Sequence, residues 1–152
     1  MRSTESVAGR NIVRAALKLA QRGLSVFPCY LDKSPATQRG FKDATTNFDL
    51  IESWFGGEDR LIGVPTGLGN NLFVVDIDPD GLEWGSANAE RLESARCHQT
   101  QRGEHYLYRF PRNIAFGTTS VSTIAQGIDT RGEGGYIIWW PACGLPVQGV
   151  LD

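Results

Sequence analysis

The run Leu72-Phe73-Val74-Val75-Asp76-Ile77-Asp78-Pro79 constrains this chain more than any other stretch. It opens as a short apolar segment of the kind that forms a buried strand, and it ends in two acids one residue apart. Side chains alternate along a strand, which predicts Leu72, Val74, Asp76 and Asp78 on one face and Phe73, Val75 and Ile77 on the other. At about 3.3 Å per residue the two aspartate Cα atoms fall roughly 6 to 7 Å apart, close enough for both carboxylates to reach one cation or cation pair. Asp is disfavoured in strands and like charges at that range repel. A positive partner is therefore expected, most simply one or two divalent metals held by oxygen ligands. The plainer alternative is a strand closed by an Asp-Ile-Asp-Pro turn with its acids in water.

A chain of 152 residues suits one domain with a single core. Its apolar and charged fractions, 41% and 21%, are those of a globular protein and exclude a disordered one. No apolar run approaches the roughly 18 residues of a membrane span, and the N-terminus lacks the order of a secretory signal. Cys29, Cys97 and Cys143 are odd in number with no C-x-x-C pair, which points to free thiols in a reducing cytoplasm. A zinc site from these three and His98 fits no usual ligand spacing.

The net charge of −2 is unevenly spread: eight Lys/Arg against three acids in residues 1–46, three against ten in 47–98, and four against four in 99–152. An acid-rich middle beside a basic opening suits a metal site next to a phosphate-binding surface, or ordinary surface charge. The overall acidity argues against strong DNA binding independent of sequence.

The remaining elements are read in order. Apolar residues at helical spacing predict a helix over Val7–Arg22, ended by Gly23. Leu24–Tyr30 reads as a strand. A loop follows with Lys33, Arg39 and Lys42, and then a helix capped by Thr46 or Asn47, with Ile51, Trp54 and Phe55 buried. Leu61–Pro65 is a short strand and Thr66–Asn71 a turn. Its glycines are not a phosphate loop, because no helix start follows. Gly85–Arg96 is expected to be helical, His98–Thr100 and His105–Phe110 to form a hairpin around Arg102-Gly103, and Ser120–Ile128 to be extended. Asp129–Gly135 reads as a glycine-rich turn, Tyr136–Trp140 as a strand stopped by Pro141, and the last ten residues as uncommitted.

Two further places could carry chemistry. His105 follows Arg102 and Gly103, and a compact turn with those residues can offer donors to a phosphate chain. A hydrogen-bonded structural histidine is the alternative. Asp129 would share a face with Arg131 if the chain stays extended there, supplying a third carboxylate beside a guanidinium. Simple turn chemistry is the competing reading.

Taken together these segments resemble a known family. Leu72–Asp78 resembles the h-h-D-h-D motif of archaeo-eukaryotic primases, Thr100–Tyr108 their second motif ending in histidine, and Gly127–Ile138 their third. Gly127–Ile138 resembles that third motif especially as it occurs in the bifunctional primase–polymerase domain of phage and plasmid replication proteins. The resemblance also takes in Leu24–Pro28, the Lys33-x-Pro35 loop, Gly40–Thr46 and Gly63–Gly67, so that it spans residues 12 to 141. The resemblance implies an α+β primase–polymerase fold: an RNA-recognition-like mixed β-sheet flanked by helices, filling 1–152 as one catalytic domain. It implies that Asp76, Asp78 and Asp129 bind two Mg²⁺ or Mn²⁺ ions and that His105 contacts the phosphates of the incoming nucleotide. Arg102 and Arg131 are further phosphate ligands by charge, and Lys33 a looser one. The implied activity is template-directed synthesis and extension of primers from nucleoside triphosphates on single-stranded DNA, in the cytoplasm of a bacterial or archaeal host. The alternatives are a nucleotide- or nucleic-acid-binding module without efficient catalysis and a metal-dependent phosphohydrolase. Trp139-Trp140-Pro141-Ala142-Cys143-Gly144 departs from the family's usual two prolines, Ser and His. Family members usually continue into a helical region and a helicase, so the chain is expected to be shortened at its C-terminal side.

Overall fold

A computed structural model describes residues 7–93, 95–111 and 118–149, with side chains from Asn11 onward. In chain order the elements are α1 (Val7–Gln21), β1 (Phe27–Cys29), α2 (Phe48–Phe55), β2 (Leu61–Pro65), β3 (Phe73–Ile77), α3 (Leu82–Ala87), α4 (Ala89–Leu92), β4 (Arg96–Gln99), β5 (Glu104–Tyr108), β6 (Ser120–Ala125), β7 (Ile128–Arg131), β8 (Tyr136–Ile138) and β9 (Val147–Gln148). They gather into two compact units, Met1–Pro65 with Ile137–Cys143, and Thr66–Tyr136 with Gly144–Asp152. The fold is α+β. The strands form two sheets, and every pairing in the larger sheet is antiparallel.

In the first unit, α1 buries Ala16, Leu19 and Ala20, the stripe expected from spacing. It ends at Gly23 (φ 90), where the Gly23 and Leu24 N–H groups bond the Ala20 and Leu19 carbonyls. That paired closure of orphan carbonyls requires the left-handed turn glycine adopts without penalty. The small sheet has the order β1-β2-β8. Its edge strand β1 is the place in a sheet that tolerates a proline such as Pro28, which has no N–H to give a neighbour. Asn47 caps α2 by accepting the Leu50 N–H at 2.9 Å, and Ile51 and Phe55 are buried while Trp54 is half-buried. Trp139 and Trp140 are buried, and the strand expected to reach Trp140 gives way at once to a 3-10 turn over Trp140–Cys143.

The second unit is built on a six-stranded sheet of order β6-β7-β3-β5-β4-β9. Its apolar cluster joins Val75, Ile77, Leu92 and Ile128, with Phe73, Trp84, Tyr106, Tyr108 and Ala125 packed against them. Burying an aliphatic side chain of this size stabilises by about 1.5–3 kcal/mol. All of the β3 residues in that cluster come from the face opposite Asp76.

Several expectations are corrected here. The helix expected over Gly85–Arg96 starts earlier, at Leu82, and breaks at Asn88, whose side chain donates to the Trp84 carbonyl. Gly85 and Asn88 are poor helix formers, and asparagine competes for backbone partners. Arg96 already belongs to β4, while Ser94 lies outside the described residues. Ser120–Ile128 is a hairpin turning at Gly127 (φ 76), so Asp129–Arg131 is strand and the glycine-rich turn starts only at Gly132. The tail is not uncommitted throughout: β9 pairs with β4, while residues 150–152 lie outside the described residues. Among the described residues, no helix is long and apolar enough to cross a membrane.

Candidate active site

β3 lies between β5 and β7, and the register decides what its acids meet. Asp76 stands opposite His105 on one side and opposite Asp129 on the other, and His105 in turn stands opposite His98 on β4. Residues directly paired across antiparallel strands point to the same face. One row of that face therefore reads His98, His105, Asp76, Asp129, and Arg131 follows two residues after Asp129.

Contacts tie the row together. His105 Nε2 is 3.5 Å from Asp76 Oδ1. Arg131 Nη2 lies 3.6 Å from Asp76 Oδ2 and 3.5 Å from Asp129 Oδ2. The other Asp129 oxygen accepts the Ser122 N–H at 3.0 Å. Ser122 has φ 52, and the β6–β7 register is irregular across this segment. That local kink aims the N–H at the carboxylate.

Asp78 lies one residue beyond β3, in extended backbone at the start of the 3-10 turn Pro79–Gly81. Its N–H bonds the Gly127 carbonyl, and a Cβ on Gly103 would collide with the Ile77 carbonyl oxygen. The turns flanking β3 thus close on Asp78 from both sides, and glycine permits the approach.

The electrostatics report the same convergence. Burial tends to raise the Asp76 carboxyl, but the His105 imidazole and the Arg131 guanidinium outweigh it and hold the group below its usual range. Asp78 is pushed up, first by loss of solvent, then by the charges of Asp76 and Asp129, with Arg131 and Arg102 offsetting only part. Three acids and two arginines therefore share one field.

These residues can be set against a divalent cation. Three carboxylates are the hard oxygen donors that Mg²⁺ or Mn²⁺ takes. The donor chemistry fits. The side chains are nonetheless arranged around Arg131, and among the described residues no group of three His, Cys, Asp or Glu is gathered closely enough to hold an ion.

The other expected site residues fall as follows. His105 is only 6% exposed and offers little surface to a phosphate. Its Nδ1 is buried without a hydrogen-bond partner. Nε2 is the ring nitrogen that faces Asp76. Arg102 is exposed in the β4–β5 turn. Lys33 belongs to the first unit, in a left-handed backbone conformation (φ 77).

Sequence reasoning missed His98 and Ser122 as parts of this site. Centring the hairpin on Gln101-Arg102, as the Thr100 N–H to Gly103 carbonyl bond does, would have paired His98 with His105. Nothing in the local sequence marks Ser122.

The family model for the N-terminal domain of bifunctional DNA primase/polymerases matches residues 16–146, and the chain belongs to that family. No curated protein matches it.

Proposed function

We propose that this chain is a DNA primase/polymerase in the chemical sense: it transfers nucleotides from nucleoside triphosphates to a 3′-hydroxyl on a single-stranded DNA template. The observation that supports this best is the residue-for-residue pairing of Asp76 with Asp129, with one guanidinium nitrogen within 3.6 Å of both. In this reading Asp76, Asp78 and Asp129 hold two Mg²⁺ or Mn²⁺ ions. When bound, such ions supply Lewis acidity at the attacking hydroxyl and the departing pyrophosphate.

The chain's own residues do the rest. His105 orients the Asp76 carboxylate through Nε2, and Ser122 N–H does the same for Asp129. Arg131 and Arg102 bring positive charge to triphosphate oxygens, which a guanidinium fork suits. A helicase acting on the same template is the partner that this reading expects.

A second reading is favoured by one observation: Arg131 closes the acid pair, as it would in a nucleotide-binding module without turnover. Extension of a labelled primer on a DNA template with Mg²⁺ or Mn²⁺ decides between them. Wild type should extend, and Asp76→Asn should not, since Asn keeps the shape but loses the charge that holds a divalent cation. Nucleotide binding without extension would favour the module, and hydrolysed nucleotide a phosphohydrolase. Equal extension by both proteins would remove Asp76 from the chemistry.

A further inference from the structure

We infer that Arg131 is the resident counter-cation of the Asp76–Asp129 pair, displaced when a divalent cation enters and then available to phosphate, so that metal and nucleotide binding are coupled through this one side chain. The inference rests on the nucleotidyl-transfer site proposed above.

The contacts of the four carboxylate oxygens carry it. Asp76 Oδ1 faces His105 Nε2, and Asp129 Oδ1 accepts the Ser122 N–H. The two Oδ2 atoms remain, and both turn to the same Nη2, at 3.6 and 3.5 Å. Those two oxygens, which no N–H of His105 or Ser122 faces, are the ones a cation held by both acids would take. Guanidinium and metal therefore exclude one another there, since both together would crowd cations onto a single pair of acids.

The hold on Arg131 is also loose. Charge-assisted N–H···O contacts settle at about 2.7–2.9 Å. Both contacts here are well beyond that, and the side chain keeps 28% of its surface exposed. Its backbone is fixed in register with Val74, so departure requires rotation of the side chain and no movement of the strand. Once out, a guanidinium two residues from Asp129 is a strong ligand for phosphate oxygens. Linkage makes the effect reciprocal: whatever the metal adds to phosphate affinity through Arg131, phosphate adds to metal affinity.

The test uses the full chain and Mn²⁺ alone, titrated by the loss of the free-ion paramagnetic resonance signal. Arg131→Gln removes the competitor and should bind Mn²⁺ on the order of tenfold more tightly than wild type. Arg131→Lys keeps a cation and should stay near wild type. Melting adds a second readout: without metal Arg131→Gln should melt below wild type, because its acids lack a partner, and Mn²⁺ should raise its melting temperature more. Metal-restored folding of an otherwise unfolded Arg131→Gln would support the inference equally. Equal or weaker Mn²⁺ binding by Arg131→Gln, where Asp76→Asn shows the ion to be at the acids, would overturn the inference alone. Mn²⁺ binding indifferent to Asp76→Asn would overturn the proposed site with it.

Discussion

The two faces of β3 differ in what neighbouring residues are for. Phe73, Val75 and Ile77 pack with Leu92, Ile128 and Trp84 in the apolar cluster, while Asp76, between two of them in sequence, faces His105, Asp129 and Arg131. The apolar face is held by area removed from water, which is insensitive to direction. On the other face Val74 is fully buried too, and beside it Asp76 is held by a few long ionic contacts that depend on register and are replaceable by other charges. One strand therefore carries apolar packing on Phe73, Val75 and Ile77 and, at Asp76 on its other face, a charged group whose contacts depend on register. A shift of register by one residue would exchange them.

The sharpest way to break that comparison is to change adjacent residues. Ile77 is 1% exposed, so Ile77→Ala should cost roughly 2–5 kcal/mol of unfolding free energy through lost burial and the cavity left behind. Asp76→Asn should cost less than about 1 kcal/mol, because weak ionic contacts are lost while repulsion from Asp129 is relieved. Urea denaturation of both variants checks this. Comparable losses would mean that the acid face also holds the fold together.

The division of labour on β3 was legible because alternation is a local property. Asp76 was placed by counting along one strand, and the Leu61–Pro65 strand was legible likewise, whereas Asp78 lies one residue past the end of β3. The position of Asp129 was less accessible. Read locally, Asp129-Thr130-Arg131-Gly132 is turn chemistry, and only pairing with β3 makes it a strand. The short helices α3 and α4 misled for a related reason. Their packing against the sheet overrides a weak stripe in which only Leu92 becomes fully buried. Arg131 beside Asp129 follows from a shared strand face, but its contact with Asp76 could not be read, because it depends on pairing and on a side-chain direction that the sequence leaves open.

A smaller effect tests the seam between the two faces. Gly103 presses the β4–β5 turn against the Ile77 carbonyl and the Asp78 backbone, where an added Cβ would collide. Gly103→Ala should therefore cost about 1–3 kcal/mol, the usual range for forcing extra atoms into a filled place. It should also weaken nucleotide binding, since it moves Arg102 away from Asp78. Melting and a fluorescent-nucleotide titration read the two consequences. Lost stability with unchanged nucleotide affinity would remove the Arg102 turn from the site.

The gentlest test is of pH, at the buried end of the acid row. His98 is fully buried, its Nε2 accepts from Arg96 Nε at 2.9 Å, and burial first, then the Arg96 and His105 charges, lower its pKa to about 3. The unfolded chain would protonate the same ring near 6.5. Between those values the unfolded state binds the extra proton. The stabilisation is therefore complete above the unfolded value and is lost as the pH falls, by at most about 1.4 kcal/mol per pH unit. Asp76, whose pKa is lowered, loses its contribution only below the ordinary carboxyl value of 3.8. Asp78, whose pKa is raised, acts in the opposite sense around that value. Asp76 thus acts below the mildly acidic window, and Asp78 acts alike in the two proteins compared below. Urea unfolding followed from neutral to mildly acid pH should show stability declining for wild type and a flatter profile for His98→Gln, whatever that variant's absolute stability. An unchanged slope in His98→Gln would place the acid sensitivity elsewhere and leave His98 as packing alone.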